Sequence, residues 1–295
     1  VMNASYDFQF LNETLDYLHK NWDTYSQHPT IAAYRTILLM LREDDNIQYY
    51  NELRHYLRED VKQFSEEDVK QFFTFAFNHC IRLINQGHDD YQQQLFELYQ
   101  QSLDAEALYE GDQLSEWDYK NITTLGCRLG EFDWTEDFLE RYKEKLPLAQ
   151  QENAYNYGFA VLYFSRKQYD KAQRLLLTVQ FTEVQYYLAG TFLLIRTYYE
   201  QDDTEALLSL LETFRIYVMR SKKMTTKEKK GYFNLIKFTK KLVLLRNSSF
   251  TFSRSEFEKE VIALQQKIET TDNIISRSWL LSECRKMAKG EGVEF

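Results

Sequence analysis

The segment from Trp117 to about Thr213 carries three copies of one pattern, in which two helical stretches are joined by a short polar turn. The clearest copy runs from Asn153 to Val179, and Ala172 in its second helix is followed thirty-four residues later by Ala206. A helical hairpin of this length cannot bury its apolar flank alone, so several such units must stack. The pattern therefore predicts a row of antiparallel helical hairpins.

Turn-forming residues are scarce along the whole chain, which has two prolines and nine glycines in 295 residues. That scarcity favours long helices with short polar connections over sheets joined by tight turns. Apolar residues make up 44% of the sequence and can form a large core. We expect an all-α fold, an α-α superhelix built as a right-handed solenoid of hairpins. The alternative is a non-repetitive helical bundle.

The copies resemble the tetratricopeptide repeat (TPR), whose pattern places a glycine in the turn, an aromatic two residues later and a terminal proline. The first copy has Gly130 in the turn, Phe132 at the aromatic position and Pro147 at the end, with Thr135 where alanine is expected. The second copy ends without proline, and the third has Asp203 at the aromatic position. The chain also resembles uncharacterised bacterial proteins of this helical type, which implies a fold and no activity.

Three segments are expected along the chain. Residues 1–112 form helical hairpins in which the repeat pattern is degenerate; Asp44-Asp45 is a predicted turn and helix start, and Ser65 is a predicted helix N-cap. Residues 113–246 hold the TPR-like repeats and a basic helix, after a polar boundary at Glu110–Ser115. Residues 247–295 form two capping helices and a tail.

Composition and sequence pattern indicate the cellular compartment of the chain. No apolar run approaches the length of a membrane span, and the start lacks the pattern of a secretory signal. Three well-separated cysteines indicate reduced, packed thiols rather than a disulfide framework. We therefore expect a cytoplasmic protein without membrane contact. A net charge of −9 makes nucleic acid an unlikely partner for the molecule as a whole.

Catalytic patterns are missing from the sequence. The five histidines are scattered, no spacing predicts a metal site, and no phosphate-binding or nucleophile motif occurs. His79 and Cys80 are adjacent in sequence and fall on different faces of a helix, which argues against a nucleophile–base pair. The sequence therefore predicts a non-enzyme that needs no cofactor and no metal.

The resemblance implies a binding groove lined by the first helix of each pair, since proteins of this family bind extended peptides there. When the copies are aligned at their turn residues, the positions expected to line the groove are Lys120, Asn121, Thr124, Arg128, Tyr157, Val161, Phe164, Phe192, Ile195 and Tyr198. This set has a polar end and an aromatic end, which suits an apolar or amphipathic segment of a partner protein. The alternative is that neighbouring helices cover the aromatic residues and leave no open groove.

One branch of the family holds a peptide's terminal carboxylate with lysine, asparagine and arginine side chains from successive helices. Lys120 fits that scheme. Thr124 and Gly158 stand where asparagines are required, and Leu188 and Phe192 where basic residues are required. A carboxylate clamp of that type is therefore not expected here.

A second surface is a long basic helix that is expected to begin at Lys222 and to run to about Arg246. The segment from Arg220 to Arg246 contains ten Lys or Arg residues and one acid, and an apolar side of the helix is expected from Tyr232, Leu235, Ile236 and Val243. The segment carries +9, and the rest of the chain carries −18. Lys230, Lys237 and Lys241 fall on one stripe and could bind phosphates or an acidic partner. A solvated helix face that balances neighbouring acidic helices explains the same pattern.

The sequence thus predicts a non-catalytic protein-interaction module that binds a peptide or helix of a partner in a groove. An anion- or nucleic-acid-binding regulator acting through the basic helix is the alternative, and a purely structural spacer is a third possibility.

Overall fold

The computed structural model describes residues 8–43, 46–180 and 184–291, and these residues form an all-α fold. The predicted fold class is confirmed at that level. The chain divides into two compact units, Val1–Arg166 and Lys167–Phe295.

The helices of the first unit are α1 Phe8–Lys20, α2 Trp22–Tyr25, α3 Pro29–Arg42, α4 Ile47–Glu59, α5 Glu66–Asn85, α6 Tyr91–Asp104, α7 Glu116–Leu129, α8 Phe132–Tyr142 and α9 Gln151–Ser165. A two-stranded antiparallel hairpin, β1 Tyr109–Glu110 and β2 Gln113–Leu114, stands between α6 and α7. Within this unit α7 packs against α6, α8 and α9, and α5 packs against α4 and α6. The largest side chains of its core include Tyr50, Phe72, Phe73, Phe96 and Tyr119.

The helices of the second unit are α10 Tyr169–Thr178, α11 Val184–Glu200, α12 Thr204–Arg220, α13 Thr226–Asn247, α14 Arg254–Thr270 and α15 Arg277–Ala288. Consecutive helices pack from α10 to α13, and α15 packs against both α13 and α14. Its core includes the fully buried side chains of Phe214, Leu235, Phe238 and Phe257.

Neither predicted segment boundary is where the two units divide. The stretch from Glu110 to Ser115 overlaps the β1–β2 hairpin, in which Gly111 is in the left-handed region (φ +65°), and α6 and α7 pack on each other across it. At the second predicted boundary, near residue 246, α13 and α15 pack together. Packing across both positions keeps the flanking helices in one unit. The tail residues 292–295 lie outside the described part.

Local capping explains several helix starts. The Ser65 hydroxyl accepts from the backbone N–H of Asp68 at 3.2 Å, which confirms the predicted N-cap of α5. The predicted start of α4 at Asp44-Asp45 lies outside the described residues. Within them, α4 begins at Ile47, with Asn46 accepting from the N–H of Gln48.

The six helices expected from the three copies are present as α7 to α12, and α7 packs against α8 and α11 against α12. Each turn contains one residue in the left-handed region: Gly130 at φ +82°, Lys167 at +59° and Asp202 at +58°. A residue in this conformation commonly ends a helix. The division into two units falls in the second of these turns, between Arg166 and Lys167.

The first and third turns share the same backbone hydrogen bonds. The N–H of Glu131 donates to Gly126 O at 3.0 Å, and seventy-two residues later the N–H of Asp203 donates to Tyr198 O at 3.1 Å. This six-residue closure is the Schellman type of helix ending. The two turns are therefore equivalent in conformation, although one contains glycine and the other aspartate.

Gly126 allows α7 and α8 to approach closely. A Cβ atom at Gly126 would lie 2.3 Å from Thr135 Oγ1, far inside van der Waals contact. Thr135 is completely buried, and its hydroxyl donates to Glu131 O at 2.6 Å. The absence of a side chain at Gly126 on α7 therefore leaves room for the buried Thr135 of α8.

We expect Gly126→Ala to destabilise the protein by about 1–3 kcal/mol, because the new methyl group overpacks this contact. In a Thr135→Ala background the same substitution should cost less than about 1 kcal/mol, since the clash with the hydroxyl is gone, only the Phe96 ring at 3.2 Å must shift, and alanine is the better helix former. Urea unfolding of the four proteins of this double-mutant cycle measures the coupling. An equal cost of Gly126→Ala in both backgrounds would contradict the close contact.

Candidate functional site

The polar end of the predicted groove lies on one face of α7. Asn121 and Arg128 are exposed, and Lys120 and Thr124 are half-buried. The Lys120 ammonium is 5.2 Å from the centre of the Trp117 ring, and burial lowers the pKa of Lys120. The Thr124 hydroxyl donates to Lys120 O at 2.8 Å, within its own helix. These four side chains share one surface of the first unit.

The apolar residues expected from α9 lie in the interior. Tyr157, Val161 and Phe164 are all buried, and Tyr157 is only 5% exposed. Burial raises the pKa of the Tyr157 hydroxyl. These three positions do not present an apolar surface to a partner. Apolar residues at a spacing of three and four residues occur on helices that line a groove and on helices that face a core. In this protein the three side chains belong to the core.

The residues expected from α11 are packed inside the second unit. Ile195 and Tyr198 are buried. Phe192 is half-buried, and its ring stands edge-on to Trp279 of α15, with centroids 5.6 Å apart and an interplanar angle of 84°. The helix α15, one of the two predicted capping helices, thus covers Phe192. Phe192 is therefore not the open aromatic end of a groove that the sequence predicts.

The lysine stripe, defined as Lys230, Lys237 and Lys241, lies on α13 with all three side chains exposed. Because seven and eleven residues are close to two and three helical turns, the three side chains point in one direction over about 16 Å of helix. The predicted apolar side of the helix faces inward: Leu235, Ile236 and Val243 are buried and Tyr232 is half-buried. The stripe prediction thus agrees with the exposure of the helix.

The start of α13 differs from the prediction. The helix begins at Thr226 rather than at Lys222. Thr225 and Glu228 form a capping box, in which the Thr225 hydroxyl accepts from the N–H of Glu228 and the Glu228 carboxylate accepts from Thr225. Hydrogen bonds from the backbone and side chain of Thr225 lower the pKa of Glu228. The only acid of the basic segment is therefore used in capping.

Like Lys222, Lys223, Lys227 and Lys240 of the same segment, the lysine stripe forms no ion pair with a described residue. Within the described residues, no carboxylate lies within 4.0 Å of Lys230, Lys237 or Lys241. Arg246, in contrast, pairs with Asp202 at 2.6 Å and donates to Tyr199 O at 3.0 Å. Lys229 donates to Met219 O at 3.1 Å. Arg246 and Lys229 therefore contact other helices of the unit through polar groups, whereas the lysine stripe forms no ion pair within the described residues.

The adjacent residues His79 and Cys80 both contact Tyr50 in the core of the first unit. The Tyr50 hydroxyl is 3.0 Å from Cys80 Sγ, and the imidazole of His79 stacks on the Tyr50 ring at 4.4 Å. Burial lowers the pKa of His79 to about 4 and raises the pKa of Cys80 to about 11. Both groups are therefore neutral near pH 7, and their contacts are those of a packed core.

The described residues contain no group of three or more His, Cys, Asp or Glu side chains placed to hold a metal ion. The search for membrane spans, made over the same residues, found no helix with the length and hydropathy to cross a bilayer.

Comparison with models of protein families, with curated proteins and with solved structures found no match to this chain.

Proposed function

We propose that this protein is a non-catalytic binding module that takes an acidic segment of a partner protein on the lysine stripe of α13. The observation that carries the proposal is a row of three exposed lysines on one face of α13, with no ionic partner among the described residues, on a chain whose net charge is −9. Unpaired lysines on a negative molecule mark the place where a negative partner meets the least repulsion.

The dimensions of the stripe suit an extended acidic peptide. Lys237 and Lys241 are separated by about 6 Å along the helix axis. Carboxylates two residues apart on an extended chain are separated by about 7 Å. A short acidic strand laid along α13 can therefore place a carboxylate near each lysine. Lysine ammonium groups act as point charges rather than as two-pronged donors, so the expected binding is weak, fast and sensitive to salt.

Nucleic acid is less favoured as the occupant. The rest of the chain carries the opposite charge and would repel a long polyanion. Proteins that hold single strands also present aromatic faces to the bases. The ring of Phe238, which lies 5.4 Å from the Lys237 ammonium, is buried and offers no such face.

The apolar-groove hypothesis has less support than the lysine stripe. Its apolar members are buried, apart from the half-buried Phe192, which packs against Trp279. An apolar segment of a partner would have to displace core residues to reach them. The exposed polar face of α7 could orient a ligand but supplies little apolar area for affinity.

We also propose that α7–α8 and α11–α12 are degenerate TPR-like hairpins, and that the chain forms a superhelix of such pairs. The equivalent turns at Gly130 and Asp202 and the close approach at Gly126 support this proposal.

The lysine stripe is tested by fluorescence anisotropy with a labelled twelve-residue peptide in which glutamate alternates with serine. The triple substitution Lys230→Gln, Lys237→Gln, Lys241→Gln should weaken binding about 10-fold, since each exposed charge pair contributes up to about 1 kcal/mol. The matched control changes Lys259, Lys267 and Lys289, three exposed lysines of the same unit outside the stripe, to glutamine. That control has the same net charge and should bind within about 2-fold of wild type.

Two outcomes would reject the acidic-peptide proposal. An equal loss in both triple variants would show that net charge matters and position does not. Tighter binding of a twelve-nucleotide single strand, lost in the stripe variant, would assign the lysine stripe to nucleic acid instead.

A further inference from the structure

A cleft of about 280 Å³ lies in the first unit, between the last turn of α6 and one face of α8. Both helices pack against α7, and the cleft is the space left between them. It is independent of the lysine stripe, which belongs to the other unit. The size suits a single amino-acid side chain or a small organic molecule.

The wall of the cleft is aromatic. Trp134, Phe138 and Tyr142 follow one another at four-residue spacing along α8 and all line the cleft, with Leu103 of α6. The rings of Trp134 and Phe138 are stacked, with centroids 5.4 Å apart and an interplanar angle of 8°. The edge of this stack is fixed by Phe96, whose ring stands at 75° to Trp134. The wall is therefore rigid and apolar, and it can take an alkyl stem.

The charge of the cleft is negative. Asp104 and Asp137 line it from opposite helices, and Arg141 is its one lining cation. None of these three side chains forms an ion pair with another described residue. Asp104 is also the last residue of α6, where the negative end of the helix dipole favours a cation.

An aromatic wall beside unpaired carboxylates selects one class of ligand. The apolar stem of an amphipathic cation can lie against the rings while its charged head meets the carboxylates. An anion would meet two like charges, and an uncharged molecule would gain no attraction from the two exposed carboxylates. We infer that this cleft binds an organic cation of the alkylguanidinium or alkylammonium class, either a partner's arginine or lysine side chain or a free molecule of that kind.

The test uses butylguanidinium as the probe and the full chain as the receptor. Titration followed by the NMR signal of the Trp134 indole N–H, assigned with Trp134→Phe, reports occupancy of the cleft. Butylguanidinium should bind more tightly than the uncharged pentanamide and the anionic pentanoate. Equal binding of pentanamide, or no response of Trp134 to butylguanidinium, would overturn the inference.

Charge variants separate recognition from simple attraction to an acidic protein. Asp104→Asn with Asp137→Asn should weaken binding about 5- to 10-fold, whereas the matched pair Asp89→Asn with Asp112→Asn, at exposed sites outside the cleft, should leave it within about 2-fold. Arg141→Gln should strengthen binding about 2- to 5-fold, because it removes the like charge. An equal effect of the two aspartate pairs would reject the site.

A second arm distinguishes the sources of the cation. If the natural occupant is a partner's side chain, acetyl-Gly-Arg-Gly-amide should bind at least as tightly as butylguanidinium. If it is a free molecule, the peptide should bind more weakly, since its backbone must stay outside the cleft.

Discussion

Trp279→Ala is expected to destabilise the second unit by about 3–5 kcal/mol, the usual cost of truncating a buried aromatic side chain. Trp279 is 8% exposed, and its ring stands edge-on to both Phe192 and Tyr199, at 5.6 Å in each case. Alanine removes both aromatic contacts and leaves a cavity between α11 and α15. Because the normal stability of a domain is only about 5–15 kcal/mol, this loss should be obvious in urea unfolding followed by circular dichroism.

Trp279→Phe is the matched control for that experiment. Phenylalanine keeps a ring between Phe192 and Tyr199. It also removes the indole N–H, which is buried without a hydrogen-bond partner among the described residues. We therefore expect a loss below about 1.5 kcal/mol. Hydrogen exchange should place the loss of protection in α11, α13 and α15. Equal stability of the alanine and phenylalanine variants would show that the two ring contacts contribute little.

The position of Trp279 also explains why the aromatic groove could not be predicted. A stripe of apolar residues at three- and four-residue spacing is produced equally by a helix that lines a groove and by one that is covered. What decides between them for Phe192 is a contact with a residue eighty-seven positions later. No local pattern near Phe192 carries that information, because the covering helix is distant in sequence.

Local features, by contrast, could be predicted from the sequence. The Ser65 cap and the turn at Gly130 depend on residues within one helical turn of each other. The lysine stripe also depends only on spacing within one helix, so its exposure on a single side of α13 agrees with the prediction. The start of α13 lies four residues after the predicted Lys222, because the capping box of Thr225 and Glu228 fixes the first turn of the helix.

The cation cleft was missed for a different reason. Asp104 and Trp134 come from two helices separated by a hairpin and by α7, and no known motif joins them. The one signal in the sequence was the row Trp134, Phe138 and Tyr142 at four-residue spacing. Such a row is most often part of a core, and here it forms both a core contact and the wall of a cleft.

Acidification is expected to destabilise the first unit through His79. The imidazole is 5% exposed and is stacked on Tyr50. Its Nδ1 lies 3.3 Å from the Arg82 guanidinium, and its Nε2 is buried without a partner among the described residues. Protonation would place a charge in a dry core beside another cation, so desolvation and, secondarily, Arg82 lower the pKa of His79 to about 4.

The folded state therefore holds His79 neutral over a range in which the unfolded chain is protonated. Above an unfolded pKa of about 6.5 the contribution to stability is complete, and it is lost as the pH falls towards 4. For a shift of this size the loss reaches up to about 3 kcal/mol, because each pKa unit corresponds to about 1.4 kcal/mol.

His79→Phe isolates this contribution from the carboxylates that titrate in the same range. Phenylalanine keeps a ring on Tyr50 and cannot be protonated, so the variant should lose less stability than wild type between pH 7 and pH 4. Urea unfolding at several pH values gives both curves, and an NMR titration of the His79 ring gives its pKa directly. His79→Gln, which also cannot be protonated, should flatten the pH dependence in the same way even if it costs stability at pH 7. The prediction is contradicted if both variants keep the wild-type pH dependence, or if His79 titrates near 6.5 in the folded protein. Either result would mean that water reaches the imidazole in the folded state.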